Sequence, residues 1–328
     1  MDNINFKALE IREVDNKFER NIIEKEINDL PEGDMLVKVK YSSLNYKDAL
    51  SAAGNRGVTK NYPHTPGIDA AGVVVEDQSS NFQEGDKVIV TGYDLGMDTD
   101  GGFEEYIRIP SEWAVKLPQN LTLKESMIYG TAGFTAALSV YKLLASELPG
   151  KKVLVTGPSG GVGSFACSIL AKKGYQVTAA TGKTDARDYF NNLGVNEVIS
   201  RSEIDDKSGR MLLKEKWDGV IDTVGGNMLA TAIKSTKYAG AVTCCGNVAS
   251  AELPINVYPF ILRGVSLHGI DSVLCDKKLR TEIWDKLAAD WKIESLASIG
   301  KEVGLNNLSK NIDKMLAGNS KGRIVVKL

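Results

Sequence analysis

One stretch limits what this chain can fold into. Val153-Leu154-Val155-Thr156-Gly157-Pro158-Ser159-Gly160-Gly161-Val162-Gly163-Ser164 reads as an apolar strand, a glycine-rich turn and then a helix, Phe165–Lys173. Gly157, Gly160 and Gly163 stand at G-x-x-G-x-x-G spacing, one place off the G-x-G-x-x-G fingerprint of dinucleotide-binding turns. Glycine lets such a turn tighten, lets main-chain N–H groups approach a pyrophosphate, and lets the helix pack close to its strand. A lone glycine turn is weak evidence, but this one opens the first of six short apolar runs. The others are Gln176–Ala180, Glu197–Ile199, Gly219–Asp222, Ala241–Cys244 and Val265–Gly269, separated by helical stretches. Strands alternating with helices predict a doubly wound parallel sheet with helices on both faces.

Before this region the grain is different. Short alternating segments such as Met35–Lys40 and Gly72–Glu76 are broken by Pro-Glu-Gly-Asp, Gln-Glu-Gly-Asp and glycine-rich turns, which predicts an antiparallel β domain. The tail returns to a helix, Leu305–Leu316, and a final strand, Arg323–Lys327, which can rejoin the first domain. The expected division is 1–122 with 268–328 for the β domain and 123–267 for the parallel sheet. Apolar residues at 43% and charged residues at 25% are ordinary globular usage, and no run reaches the length of a membrane span. A net charge of −2 with both signs interspersed offers no footprint for nucleic acid or an anionic membrane, so the expected partner is a small molecule. The start lacks the apolar core of a signal peptide, and cytoplasm is the expected location. Four cysteines without C-x-x-C spacing support neither a disulfide framework nor a cysteine-based metal site.

The choice of dinucleotide turns on the end of the second parallel strand. An NAD enzyme offers Asp or Glu there to the adenosine ribose. This chain offers Thr181-Gly182-Lys183-Thr184, which removes repulsion toward a 2′-phosphate and adds a point charge at Lys183. Arg201, just past the third strand, is expected to add a second cation, although Asp185 lies two positions beyond Lys183. NADP is therefore the expected cofactor. Ser159, Gly160, Gly161, Val162 and Gly163 would meet its phosphates, and Gly246-Asn247 would approach from the carboxyl edge of the sheet. Asn247 can equally serve as a turn residue.

Further motifs carry a resemblance. Pro66-Gly67-Ile68-Asp69-Ala70-Ala71-Gly72-Val73-Val74, Phe82–Val88, Gly101-Gly102-Phe103-Glu104-Glu105-Tyr106, Ser43–Asp48, Gly130–Ala136 and Lys321–Val326 occur in the order and spacing of the medium-chain dehydrogenase/reductases. Together they resemble the zinc-free YhdH/YhfP-type quinone oxidoreductases, a group that includes acrylyl-CoA reductases. The resemblance implies a GroES-like first domain, a Rossmann second domain, nicotinamide in the cleft between them, and a homodimer joined at the sheet edge near Val265–Asp271. Zinc-dependent members of the family hold metal by cysteine and histidine where this chain has Asn45-Tyr46 and Pro66-Gly67-Ile68. Only His64 and His268 exist here, so no tetrahedral site is expected.

Without a metal the acceptor should already be electrophilic: a quinone, an enone or an α,β-unsaturated acyl-CoA, whose developing oxyanion needs only hydrogen-bond donors. By family position Asn45 orients nicotinamide or ribose, Thr131 lies under the nicotinamide, and Arg323 joins the cofactor contacts. Tyr46 either donates to the acceptor carbonyl or packs beside it with its hydroxyl on main chain. Asp48 is expected to fix its turn, and Arg56 and Lys60 are candidates for an acidic substrate tail. A rival class is an NADPH-holding, crystallin-like or regulatory protein without turnover, which would keep the same glycine turn and Lys183.

Overall fold

Short strands with mostly buried side chains organise the first third of the structure, a computed structural model that describes residues 4–328 except Thr184, Ser295 and Lys321. Strands β1 (Asn5–Val14) and β2 (Lys17–Glu26) form a hairpin whose two turn residues, Asp15 and Asn16, have φ of 50° and 59°. Left-handed values at both positions are what a two-residue turn needs to match strand twist. Strands β3 (Met35–Leu44), β4 (Asp69–Asp77), β5 (Lys87–Thr91), β6 (Tyr106–Ile109) and β7 (Ala114–Lys116) pair antiparallel. Helix α1 (Tyr46–Ser51) leaves the end of β3, and α2 (Leu123–Leu144) follows β7 with a break at Gly130.

The six expected parallel strands are β8 (Lys152–Thr156), β9 (Gln176–Thr181), β10 (Glu197–Ser200), β11 (Trp217–Asp222), β12 (Thr236–Cys244) and β13 (Ser266–Gly269). Helices α3 (Gly161–Lys172), α4 (Arg187–Asn192), α5 (Gly226–Lys234) and α6 (Tyr258–Arg263) lie between them. The spatial order β10-β9-β8-β11-β12-β13 reverses direction between β8 and β11, the switch point at which such sheets bind ligands. Leu154, Val220 and Val242 meet Leu229 and Ile233 in the core on one face. After α7 (Lys277–Ala288) and α8 (Leu296–Ile299), strand β14 (Gly300–Gly304), helix α9 (Leu308–Leu316) and β15 (Arg323–Lys327) complete the chain. β15 lies between β14 and β3, so the final strand does rejoin the first sheet.

The fold class is the expected one, an antiparallel β domain and a Rossmann-type parallel sheet. Two compact units emerge: residues as far as Thr131 with Val273–Ala289 and Glu294–Leu328, and Ala132–Ser272 with Asp290–Ile293. The change of unit falls inside α2, one residue past the break at Gly130, whereas the composition changes at its head. No described helix is long and apolar enough to cross a membrane.

The β1–β2 hairpin is tied to its unit by charge. Lys25 Nζ donates to Asp100 (2.6 Å) and to the fully buried Glu104 (3.0 Å), and His64 Nδ1 lies 3.4 Å from Asp100. Burial pushes the Glu104 carboxyl up to about 8, against the pull of Lys25. A raised pKa means that the native state holds this proton. Its stabilising contribution is complete below the ordinary glutamate value of 4.5 and is lost as pH rises through about 8. Thermal melts at pH 7 and pH 9 should therefore show a fall in Tm that is smaller in Glu104→Gln. Equal falls in both proteins would contradict this reading of the cluster.

Candidate functional site

At the switch point two glycines of the turn, Gly157 and Gly163, have no room for a side chain. Gly157 has φ of 59°, and a Cβ there would lie 2.3 Å from Thr223 Oγ1. One on Gly163 would lie 2.3 Å from the Gly157 carbonyl, because helix and turn touch through main chain. At Gly160 the nearest atom would be 3.4 Å away. Gly160 N–H closes the turn on the Gly157 carbonyl, and Ser164 N–H is the first to bond back, to Gly160. The N–H groups of Gly161, Val162 and Gly163 thus form the acceptor-free first turn of a twelve-residue helix. This cradle fits a pyrophosphate, with Ser159 half-buried in the loop before it. Helix α3 starts at Gly161 rather than Phe165, because the glycine N-cap lets helical geometry begin within the turn.

Asp222, at the end of β11, holds this region in place. It accepts from Thr156 Oγ1 (2.7 Å) and from the N–H groups of Val224 and Gly225, while Thr223 bonds back to Thr156 through both N–H and hydroxyl. Burial raises the Asp222 pKa. Gly246 passes so close that a Cβ would lie 2.2 Å from the Thr223 carbonyl, and Asn247 follows it exposed, without positive φ. At the end of β9, Thr181 Oγ1 accepts from Lys183 N–H (3.0 Å), and the Arg201 guanidinium lies against Gly182. Lys183, Arg201 and Asp185 are exposed, and none forms an ion pair among the described residues. Thr184 lies outside them.

In the first unit, the expected residues converge on Asp69, a buried carboxylate at the start of β4. Asn45 Nδ2 donates to it at 2.7 Å, Thr131 donates through N–H (2.9 Å) and Oγ1 (2.6 Å), and Ser43 Oγ donates as well. Arg323 donates to Ser43 Oγ (2.8 Å) and to the carbonyls of Ile128 and Leu44, with its guanidinium 3.8 Å from Asp69. Burial lowers the Arg323 pKa, opposed by Asp69 and Asp48. Its side chain is 4% exposed, and its partners are Ser43, Asp69 and two main-chain carbonyls. Asn45 is the N-cap of α1. Asp48 accepts from the N–H groups of Asn45 and Ile68, and burial pushes its carboxyl up to about 7. It anchors the turn. Tyr46 is 54% exposed, and its hydroxyl has no hydrogen bond among the described residues.

The remaining candidates have other partners. Arg56 pairs with Glu13, donates to the Lys60 carbonyl and stacks over Tyr62, while Lys60 pairs with Asp98. His268 Nε2 meets Ser146 Oγ at 3.0 Å, and His64 is buried beside Asp100. Among the described residues no three of His, Cys, Asp and Glu are grouped so as to hold a metal ion. Asp69 and Asp222 were not singled out as organising groups by sequence reasoning. Asp69 is visible there only as one letter of the Pro-Gly-x-Asp motif, and Asp222 as the polar end of an apolar strand.

Gly130 gives the first-unit cluster a sharp test. Its φ is 50°, and a Cβ would lie 2.4 Å from Asp69 Oδ2 and 2.5 Å from Ser43 Oγ. Gly130→Ala should cost about 2–4 kcal/mol in urea unfolding. Gly304→Ala, where nothing lies within 4 Å, should stay within about 0.5 kcal/mol.

Comparison with known proteins agrees with this architecture. Residues 31–119 match the alcohol dehydrogenase GroES-like domain, and residues 161–289 match the zinc-binding dehydrogenase family. The putative quinone oxidoreductase YhfP of Bacillus subtilis is 47% identical over 303 residues, 92% of each chain. Its crystal structure with NAD bound superposes at a TM-score of 0.96, covering 99% of this chain and 100% of that one. The acrylyl-CoA reductase AcuI of Ruegeria pomeroyi is 41% identical over 302 residues, 92% of each chain. The YhdH oxidoreductase of Salmonella enterica, solved with NADP, is 40% identical with a TM-score of 0.95, covering 98% of this chain and 99% of that one. A chain with a glycine cradle at the switch point of one unit, a buried carboxylate cluster in the other, and relatives this close along its length belongs to the medium-chain dehydrogenase/reductase superfamily, in its quinone-oxidoreductase-like branch.

Proposed function

We propose that the chain is an NADPH-dependent oxidoreductase that reduces a conjugated acceptor, a quinone, an enone or an α,β-unsaturated acyl-CoA such as acrylyl-CoA, without zinc. The observation that carries this reading is the end of β9. Where a ribose-binding carboxylate would stand, Lys183 is exposed and Arg201 lies on Gly182, both without carboxylate partners among the described residues. Two such cations suit a 2′-phosphate, and the N–H groups of Gly161, Val162 and Gly163 suit the pyrophosphate. Thr181, Ser159, Gly246 and Asn247 complete the proposed contacts in that unit.

When bound, the reduced nicotinamide supplies the hydride. Asn45 and Thr131, oriented by Asp69, are assigned to the nicotinamide, with Arg323 bracing them. Tyr46 is assigned to the acceptor: an exposed hydroxyl free of main-chain partners can donate to the carbonyl oxygen as negative charge develops and then yield its proton. Zinc independence is supported by the donor set, since the segments that bear metal ligands in zinc-dependent members carry Asn45-Tyr46 and Pro66-Gly67-Ile68 here. Homodimerisation through the edge strand β13 is supported by the exposed apolar side chains of Val257, Ile261 and Leu262 beside it.

YhfP was solved with NAD and YhdH with NADP, so cofactor preference is the test that separates readings. The double variant Lys183→Ala/Arg201→Ala should lower the ratio of kcat/KM for NADPH over NADH by about tenfold or more. An unchanged ratio would overturn the assignment. Tyr46→Phe should reduce kcat by about 10²-fold while the Kd for NADPH stays within about twofold, because a donor to developing charge acts in the transition state. Steady-state kinetics together with NADPH fluorescence titration measures both.

A further inference from the structure

Four lysines line one pocket of the first unit. The pocket has a volume of about 650 Å³ and is lined by Lys301 of β14, Lys310 and Lys314 of α9, and Lys327 of β15. All four are exposed, and none forms an ion pair among the described residues. Glu302 is the one acidic side chain in the lining; Lys124 holds it at 2.8 Å, and the charge of Lys327 also acts on it. The acid of α9, Asp313, is engaged by Arg20 at 2.6 Å.

This arrangement works against stability. Lys310 and Lys314 stand one helical turn apart, where like charges repel. Lys327 lies opposite Gly304 on the neighbouring strand, and the space a side chain would fill at Gly304 is open. Asn307, the N-cap of α9, adds an amide to the wall. Four lysines from three elements in the lining of one concavity, in a chain whose net charge is −2, suit a multiply charged anion. Lysine meets phosphate as a point charge with three donors, without requiring bidentate geometry.

We propose that this pocket binds a small molecule carrying two or more phosphoryl groups, at a site separate from the glycine turn. The same chemistry has two sources, a free polyphosphate or nucleotide and the nucleotide end of a CoA thioester. Only the second rests on the acyl-CoA reading above.

The experiment is a titration of full-length, ¹⁵N-labelled protein, first with inorganic pyrophosphate and then with CoA, followed through amide resonances. Pyrophosphate should move the amides of Lys301, Lys310, Lys314 and Lys327. The midpoint should rise about tenfold in Lys310→Ser/Lys314→Ser, and also on addition of salt. Lys310→Arg/Lys314→Arg should retain binding, and the response of Gly161–Gly163 should be the same in every variant. A CoA midpoint below that of pyrophosphate, with KM raised in the serine variant for an unsaturated acyl-CoA but not for a quinone, assigns the site to the substrate. Equal midpoints and an unchanged KM assign it to a free polyphosphate, a result that stands even if the chain turns over no acyl-CoA. Four lysine amides unmoved by either probe, or equal midpoints in wild type and serine variant, would overturn the proposal.

Discussion

The Asp69 carboxylate is the constraint on which the first unit's candidate site depends. It is buried, and donors reach it from the end of β3, the N-cap of α1 and the break in α2, while β15 contributes Arg323 through Ser43. A buried charge is tolerated only when its lone pairs are filled, and leaving one such group unmet costs about 1–3 kcal/mol. The carboxylate therefore fixes four segments at once. It sets the side-chain orientation of Asn45 and Thr131 and requires glycine at 130. In the second unit Asp222 does the same for the loops after β8 and β11, holding Thr156, Thr223 and Gly225 around the glycine turn.

Periodicity carried most of the fold into view. All six parallel strands were legible as short apolar runs, most clearly the inner four, which are covered on both faces and have no polar side to interrupt them. The final strand Arg323–Lys327 was legible to the residue. Helix starts were less so: glycine at Gly160–Gly163 reads as loop by propensity, yet the helix begins at Gly161. The site was legible where chemistry is local in sequence, as in the glycine turn and Thr181-Gly182-Lys183. It was not where partners are remote. Thr131 is 62 residues from Asp69, and Arg323 is 280 from Ser43, separations that no windowed pattern spans. Arg56 and Lys60 illustrate the converse: as loop cations they invite a substrate role, but Glu13 and Asp98, distant in sequence, already hold them.

The two units divide the chemistry between them. One presents N–H groups at the glycine turn and cations without carboxylate partners among the described residues, which are features for holding phosphate. The other presents the amide of Asn45 and the hydroxyl of Thr131 on a carboxylate that orients both, and an exposed phenol, Tyr46, with no hydrogen bond among the described residues. On the function proposed above, such a set would align a conjugated acceptor and stabilise charge on its oxygen, which suits a substrate that is already electrophilic. A quinone demands little of the protein, whereas an unsaturated thioester is a poorer electrophile and demands oriented donors.

Deuteride transfer tests this account most directly. The purified protein, with its metal content measured, would be given NADPH carrying two deuteriums at the nicotinamide C4 position and an α,β-unsaturated acyl-CoA. The account predicts saturated product with one deuterium at the β carbon, formed at a rate independent of zinc content and unaffected by chelator. Product without deuterium, or a rate that rises and falls with bound zinc, would contradict it.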